Sequence, residues 1–81
     1  MPVEDIRKKI DEVDGKMLGL LEKRVELTEK IGRVKREKGL PIHDPQREGE
    51  VLGRLTGKTR LNKDFIRKIF AQIIEYCREN E

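Results

Sequence analysis

The chain has 81 residues, which is enough for one domain, residues 1–81, with only a small hydrophobic core of its own. Charged residues make up 43% of the chain, yet the net charge is only +3, a composition typical of long exposed helices rather than of disordered chains. With no Ser, one His and one Cys, the sequence excludes a Ser-His-Asp triad and a four-ligand zinc site, and we expect no metal or other cofactor.

A repeating apolar pattern fills the first part of the chain. Apolar residues recur at alternating steps of three and four, which is the spacing of a helix that packs along one side. This apolar stripe consists of Val3, Ile6, Ile10, Val13, Met17, Leu20, Leu27, Ile31 and Val34. The pattern predicts one long helix from about Val3 to Lys38, with Gly39 as its C-terminal cap and Pro41 preventing its continuation.

A second, short helix is predicted from Pro45 to Thr56. Asp44 can cap its N-terminus, and Pro45 suits the first helical position because its ring fixes φ and lacks an N–H. Gly49 and Gly53 lie inside this helix, and each costs about 1 kcal/mol relative to Ala. We therefore expect tertiary contacts to hold the short helix in place.

The third helix is of medium length and follows Asn62, its predicted N-cap. Leu61 can pack on Ile66 across this start, as in a hydrophobic staple. The predicted buried face comprises Phe65, Ile66, Ile69, Phe70, Ile73, Ile74 and Cys77. No segment shows strand periodicity, so the predicted fold is all-α with three helices, one long, one short and one medium.

The length of the first helix predicts an oligomer. About 36 residues at about 1.5 Å each give a helix of about 54 Å, whereas a compact 81-residue protein has a radius of gyration of about 12 Å. One chain cannot cover such a helix. The simplest closed solution is an intertwined two-fold homodimer with antiparallel long helices, and a parallel coiled coil is the alternative.

One residue interrupts the apolar stripe. The pattern calls for an apolar residue at position 24, but the sequence has Arg24, and an inward guanidinium is costly unless an anion pairs with it. Arg24 could extend its charged end to solvent or pair with an acid of its own chain. However, Lys35 lies only about 20° away around the helix, three turns on, and the small residues Thr28 and Gly32 between them leave open space. Two cations on one side of a helix favour an anionic ligand.

An antiparallel dimer adds a third cation to this side. In that arrangement Arg7 of the partner subunit lies opposite about residue 32, which is between Arg24 and Lys35. Arginine binds carboxylates with two parallel hydrogen bonds. The three cations therefore predict a small ligand with more than one carboxylate.

The same residues carry a family resemblance that covers nearly the whole chain. The segments are IRKKIDEVDGKML, EKRVELTEKIGRVK, PIHDPQRE and IFAQIIEYCRENE, in that order. Their order and spacing resemble the all-helical chorismate mutase family. The resemblance implies an intertwined homodimer with two sites and an isomerase activity without a cofactor. It also implies the reaction, which converts chorismate to prephenate on the shikimate route to Phe and Tyr.

The resemblance also implies roles for individual residues. Arg24 and Arg7 of the partner subunit would hold the two carboxylates, and Lys35 would reach a carboxylate and the ether oxygen of the substrate. The substrate hydroxyl would be surrounded by Asp44, Arg47 and Glu48. Asp44 would also keep its role as the helix cap.

The resemblance also places Cys77 and Glu81 in the substrate site. Cys77 differs from the family pattern, and Glu81 is the last residue of the sequence. Cys77 stands where a Ser often helps to bind a carboxylate, and because a thiol is a weaker donor, we expect Cys77 to belong mainly to the core. Glu81 matches a Gln or Glu that donates to the ether oxygen. Cys77 and Glu81 share a helix face, although a frayed last turn would keep Glu81 out of the site.

Other functions remain as alternatives. A related enzyme with the same fold removes pyruvate from isochorismate, and the turn from Asp44 to Glu48 fits the mutase better. A basic helical dimer could instead bind nucleic acid, but acidic residues are interspersed and only three aromatic residues can stack on bases. A coiled-coil adaptor would gain nothing from Arg24. The single Cys, and the lack of a signal peptide and of a long apolar run, predict a cytoplasmic protein without a membrane span.

Overall fold

The computed structural model describes residues 2–81 and has three α-helices: α1, Val3–Lys38; α2, Pro45–Gly57; and α3, Lys63–Glu79. Within the described residues there is no strand, so the predicted all-α fold with a long, a short and a medium helix is confirmed. Only one predicted end differs, because α2 continues one residue beyond Thr56.

Local capping sets the helix ends as the sequence predicts. Gly39 ends α1 in the left-handed conformation with φ 69°, which glycine adopts without the strain of a Cβ atom. The side chain of Asp44 accepts a hydrogen bond from the backbone N–H of Arg47 at 3.1 Å. Asn62 does the same for Phe65 at 2.9 Å. Each N-cap thereby satisfies one backbone donor that the first helical turn leaves free.

The third helix joins the other two. It packs against both α1 and α2, whereas among the described residues α1 and α2 do not pack directly on each other. All residues of α1 that are not exposed lie between Arg24 and Lys35. The molecule is therefore elongated, 56 × 24 × 16 Å, with a radius of gyration of 15.9 Å.

The core is small, and it is narrower than the sequence predicts. Its buried residues are Val51, Thr56, Ile66, Ile74 and Cys77. Phe65 and Ile69, which were predicted to be buried on α3, are exposed, and Phe70 and Ile73 are half-buried. This part of the prediction is wrong for the single chain, because α1 and α2 together cover only one side of α3.

The apolar stripe of α1 is uncovered along its length. Every one of its nine apolar side chains, from Val3 to Val34, is exposed. A contiguous apolar surface of this extent marks an interaction surface. Within residues 2–81 no helix is both long and apolar enough to cross a membrane.

Candidate active site

A cavity of about 250 Å³ lies where the three helices and the turn between α1 and α2 meet. Seven of the eight predicted site residues line this pocket: Arg24, Lys35, Asp44, Arg47, Glu48, Cys77 and Glu81. Apolar side chains complete its walls, among them Ile31, Val51 and Ile74. The pocket thus joins an apolar surface to a dense group of charges, as small-molecule sites commonly do.

Arg24 enters the pocket from α1. Its Nη1 donates to the sulfur of Cys77 at 3.0 Å, and Cys77 is 2% exposed, so this cysteine belongs to the core as predicted and also forms part of the pocket wall. Within residues 2–81 no carboxylate forms an ion pair with Arg24. The alternative in which an acid of the same chain pairs with Arg24 is therefore wrong. The half-buried guanidinium has only a weak thiol acceptor, which leaves it available to an anion.

Lys35 lies on the same side of the pocket. Its Nζ donates to the carbonyl oxygen of Ile42 at 2.9 Å and lies 3.5 Å from Oε2 of Glu81. The carbonyl fixes the ammonium group at the pocket wall without neutralising its charge. Glu81 lies two residues beyond the end of α3, so the prediction that it shares a helix face with Cys77 is wrong. Its side chain is nevertheless only 11% exposed and lines the pocket, so the alternative that keeps Glu81 out of the site is also wrong.

The main chain of Glu81 covers Gly32. A Cβ atom on Gly32 would lie 2.8 Å from the carbonyl carbon of Glu81, a distance at which one of the two residues must move. Arg36 Nη1 also donates to the carbonyl oxygen of Glu81. The sequence predicted open space beside Thr28 and Gly32. Thr28 does line the cavity, but Gly32 does not, because it admits the main chain of Glu81, just beyond α3.

The first turn of α2 forms another wall of the pocket. As the N-cap, the carboxylate of Asp44 accepts a hydrogen bond from the backbone N–H of Arg47. Arg47 itself is an exposed residue that lines the pocket. The carboxylate of Glu48 is held by Arg78 on α3, whose Nη1 lies 2.9 Å from each of its two oxygens. Nε2 of His43 is 3.6 Å from the same carboxylate.

The sequence prediction missed Arg78. Its hydrogen bond to Glu48 raises the pKa of the Arg78 guanidinium above its usual value, so this side chain remains a cation. Helical spacing could have indicated it, because Arg78 is four residues after Ile74 of the predicted buried face and therefore only about 40° from it around the helix. Its partner on α2 is thirty residues away in sequence and could not be identified from spacing.

Arg7 is the predicted site residue that the chain does not bring to its own pocket. Its side chain is 67% exposed and pairs with Glu4 at 2.9 Å. Seventeen residues separate Arg7 from Arg24, which corresponds to about 26 Å along a helix. Its placement in the pocket of a partner subunit stays a prediction.

The charges that line the pocket suit a dianion better than a metal ion. Four cations, Arg24, Lys35, Arg47 and Arg78, face three carboxylates, and two of these carboxylates are close to a cation. Within the part of the chain that the structure describes, no three His, Cys, Asp or Glu side chains converge as a metal site requires. Within residues 2–81 the other two cations, Arg24 and Arg47, form no ion pair, so both are available to an anionic ligand.

Comparison with known proteins connects this geometry to a family. A family model described as chorismate mutase type II matches residues 6–81. Chorismate mutase from Methanocaldococcus jannaschii is 37% identical over 75 residues, which cover 89% of this chain and 76% of the relative. The bifunctional chorismate mutase/prephenate dehydratase of Aquifex aeolicus is 39% identical over 70 residues, 86% of this chain and 18% of the relative. The chain thus spans under a fifth of this bifunctional protein.

A solved structure agrees with the family match. Helicobacter pylori chorismate mutase, solved in complex with prephenate, superposes with a TM-score of 0.86 at 32% identity, covering 96% of this chain and 87% of that chain. Fold and sequence therefore point the same way over nearly all of the described residues. The chain belongs to the chorismate mutase type II family.

Proposed function

We propose that this chain catalyses the rearrangement of chorismate to prephenate in aromatic amino-acid biosynthesis. The observation that carries the proposal is the pair Arg24 and Lys35 on one side of α1, two cations that face a pocket of about 250 Å³. Among the residues that the structure describes, 2–81, no carboxylate pairs with Arg24. The Helicobacter pylori relative was solved with prephenate, a dicarboxylate of the class that such a pocket suits.

The proposed reaction requires no covalent bond between the protein and the substrate. One carbon–carbon bond forms while the ether carbon–oxygen bond breaks within a single molecule, so no nucleophile and no cofactor take part. The protein has to hold a flexible dicarboxylate in its reactive conformer, which removes much of the entropic barrier. It also has to stabilise the negative charge that develops on the ether oxygen.

The pocket supplies groups for both tasks. Arg24 binds one carboxylate of the substrate. Its hydrogen bond to the sulfur of Cys77 is weak, so little free energy is lost when the carboxylate replaces the sulfur as acceptor. Lys35 is fixed by the carbonyl of Ile42 and reaches the ether oxygen with its remaining N–H groups. Glu81 lies beside Lys35, where its carboxyl group donates to the same oxygen when it is protonated.

The wall formed by α2 recognises the rest of the substrate. Glu48 presents a carboxylate that accepts a hydrogen bond from the substrate hydroxyl, and Asp44 fixes the turn that carries it. Arg47 adds a cation near the pocket entrance. This division puts carboxylate binding on α1 and hydroxyl binding on α2.

We further propose that the active form is a homodimer in which a second copy of the chain covers the apolar stripe of α1. The stripe is exposed over most of a 36-residue helix, and the radius of gyration of 15.9 Å exceeds the roughly 12 Å of a compact chain of this length. Arg7 flanks the stripe, one residue after Ile6 and three before Ile10. A partner on the stripe therefore brings its own Arg7 along.

The dimer also completes the pocket. In an antiparallel pairing, Arg7 of the partner subunit lies opposite about residue 32 and reaches the second substrate carboxylate. Arg24 alone cannot form bidentate hydrogen bonds with two separated carboxylates. The cytoplasmic location stays a prediction.

The test is to incubate the purified protein with chorismate and follow the loss of substrate absorbance, with mass spectrometry of the product. An isomer of unchanged mass and no released pyruvate are expected. Arg24→Ala should abolish turnover while circular dichroism remains that of the parent. Pyruvate release from isochorismate without turnover of chorismate would assign the lyase reaction instead, and no turnover of either substrate by folded protein would refute the proposal.

A further inference from the structure

The ion pair between Arg78 and Glu48 is the strongest link between helices in the pocket. Nη1 of Arg78 lies 2.9 Å from both carboxylate oxygens, while Nζ of Lys35 lies 3.5 Å from the carboxylate of Glu81, just beyond α3. Both side chains of the first pair are partly shielded from solvent, with exposures of 31% and 25%. Charge-assisted bonds of this length are stronger than neutral ones and fix the orientation of the acceptor.

The ion pair between Arg78 and Glu48 reduces electrostatic repulsion between the pocket and a dianionic ligand. A carboxylate that accepts a hydrogen bond from the ligand hydroxyl must face the ligand, yet an unpaired carboxylate repels a ligand that carries two negative charges. Arg78 lines the pocket beside Glu48 and compensates its charge with one nitrogen, which does not occupy all acceptor sites, because a carboxylate has about four lone-pair positions. Four cations and three carboxylates line the pocket, so removing Arg78 would lower the net charge of its lining from +1 to zero.

We infer that Arg78 is a positioning residue that aims the Glu48 carboxylate at the ligand hydroxyl and keeps the pocket attractive to a dicarboxylate. This inference rests on the proposed function. Arg78 acts through Glu48 and does not touch the reacting atoms. Because only one of its nitrogens binds the carboxylate within residues 2–81, an ammonium group at this position can replace part of its effect.

Arg78→Ala, Arg78→Lys and a matched control test this role by steady-state kinetics with chorismate. Glu48 binds the hydroxyl in both ground state and transition state, so Arg78→Ala should raise KM about tenfold or more with kcat changed less than about threefold. Arg78→Lys should recover most of the lost affinity. Arg67→Ala is the control, since Arg67 lies on the same helix and pairs only with Asp64 at 3.8 Å, away from the pocket.

A double-mutant cycle separates positioning from general stability. In a Glu48→Gln background, adding Arg78→Ala should change KM less than about twofold, because the residue through which Arg78 acts is already altered. Thermal unfolding of every variant shows whether the fold is intact. An unchanged KM in folded Arg78→Ala, no recovery with Lys, or an undiminished effect in the Gln background would each overturn the inference.

Failure of the proposed function gives a different result. If the parent protein does not convert chorismate, calorimetric titration with prephenate replaces kinetics, and the same variants are compared by Kd. Weaker binding by Arg78→Ala, restored by Lys, supports the role of Arg78 for a dicarboxylate without the reaction. Equal Kd values for the parent and Arg78→Ala, or no binding by the parent, overturn it.

Discussion

The main chain of Glu81 covers Gly32 of α1 so closely that a Cβ atom on Gly32 would lie 2.8 Å from its carbonyl carbon and force one of the two residues to move. Gly32→Ala should displace Glu81 from Lys35 and lower kcat about tenfold while the helices remain folded, since alanine favours a helix by about 1 kcal/mol. The measurement is kcat together with thermal unfolding.

Gly15→Ala is the matched control for this change. Gly15 lies on the same helix, no atom approaches its Cβ position within 4 Å, and it faces about opposite to Val13 and Met17 of the apolar stripe. This control should keep kcat and gain up to about 1 kcal/mol of stability. If both variants keep the parental kcat, the placement of Glu81 does not matter for catalysis.

The homodimer predicts that stability depends on protein concentration. The apolar stripe needs a second copy to cover it, so mass in solution should be that of two chains and the midpoint of thermal unfolding should rise with concentration. Sedimentation and unfolding from about 1 to 100 μM measure both. A folded monomer at micromolar concentration would contradict the dimer.

Sharing of the site across the interface predicts complementation. Arg7→Ala and Arg24→Ala proteins should each be inactive, whereas a heterodimer of the two has one site with both arginines. After subunit exchange, a random mixture should recover about a quarter of the parental activity. Exchange is verified by mass spectrometry of differently tagged chains. If exchange is complete and the mixture stays inactive, Arg7 does not act in the partner's pocket.

Lys35→Ala should lower kcat about 10²-fold or more, because its charge is placed where negative charge develops in the transition state. Lys38→Ala is the control, since Lys38 is exposed in the last turn of the same helix. Steady-state kinetics and circular dichroism are compared for both. A rise in KM with unchanged kcat would make Lys35 a residue of uniform binding instead.

Substitution of Glu81 by Gln and by Ala tests its proposed role as a hydrogen-bond donor. The amide of Gln is a permanent donor, whereas Ala has none. Glu81→Gln should therefore retain activity near neutrality, and Glu81→Ala should lower kcat about tenfold. Equal kcat values for the parent and Glu81→Ala would remove Glu81 from the reaction.

Local signals explain how much of the fold could be predicted. Gly39, Asp44 and Asn62 act within a few residues of their own positions, and therefore the end of α1 and the starts of α2 and α3 follow from the sequence. The exposure of Phe65 and Ile69 could not be predicted, because it depends on which side of α3 the other helices cover.

Some residues of the candidate site could likewise be predicted from the sequence, and others could not. Arg24 was recognisable because a charge interrupts an apolar repeat, and Lys35 because helical spacing places it on the same side. The contact between Gly32 and Glu81 and the partnership of Arg78 with Glu48 join segments that are far apart in the chain. Only the packing of α3 determines such contacts.

The bridging position of α3 has a consequence for the energetics of ligand binding. Because α3 alone packs on both other helices, the pocket exists only while α3 is docked, and partial undocking separates its walls. A ligand that spans the walls binds only the docked state and must therefore stabilise the whole chain by mass action. Protection of α3 amides from hydrogen exchange should thus grow with ligand concentration.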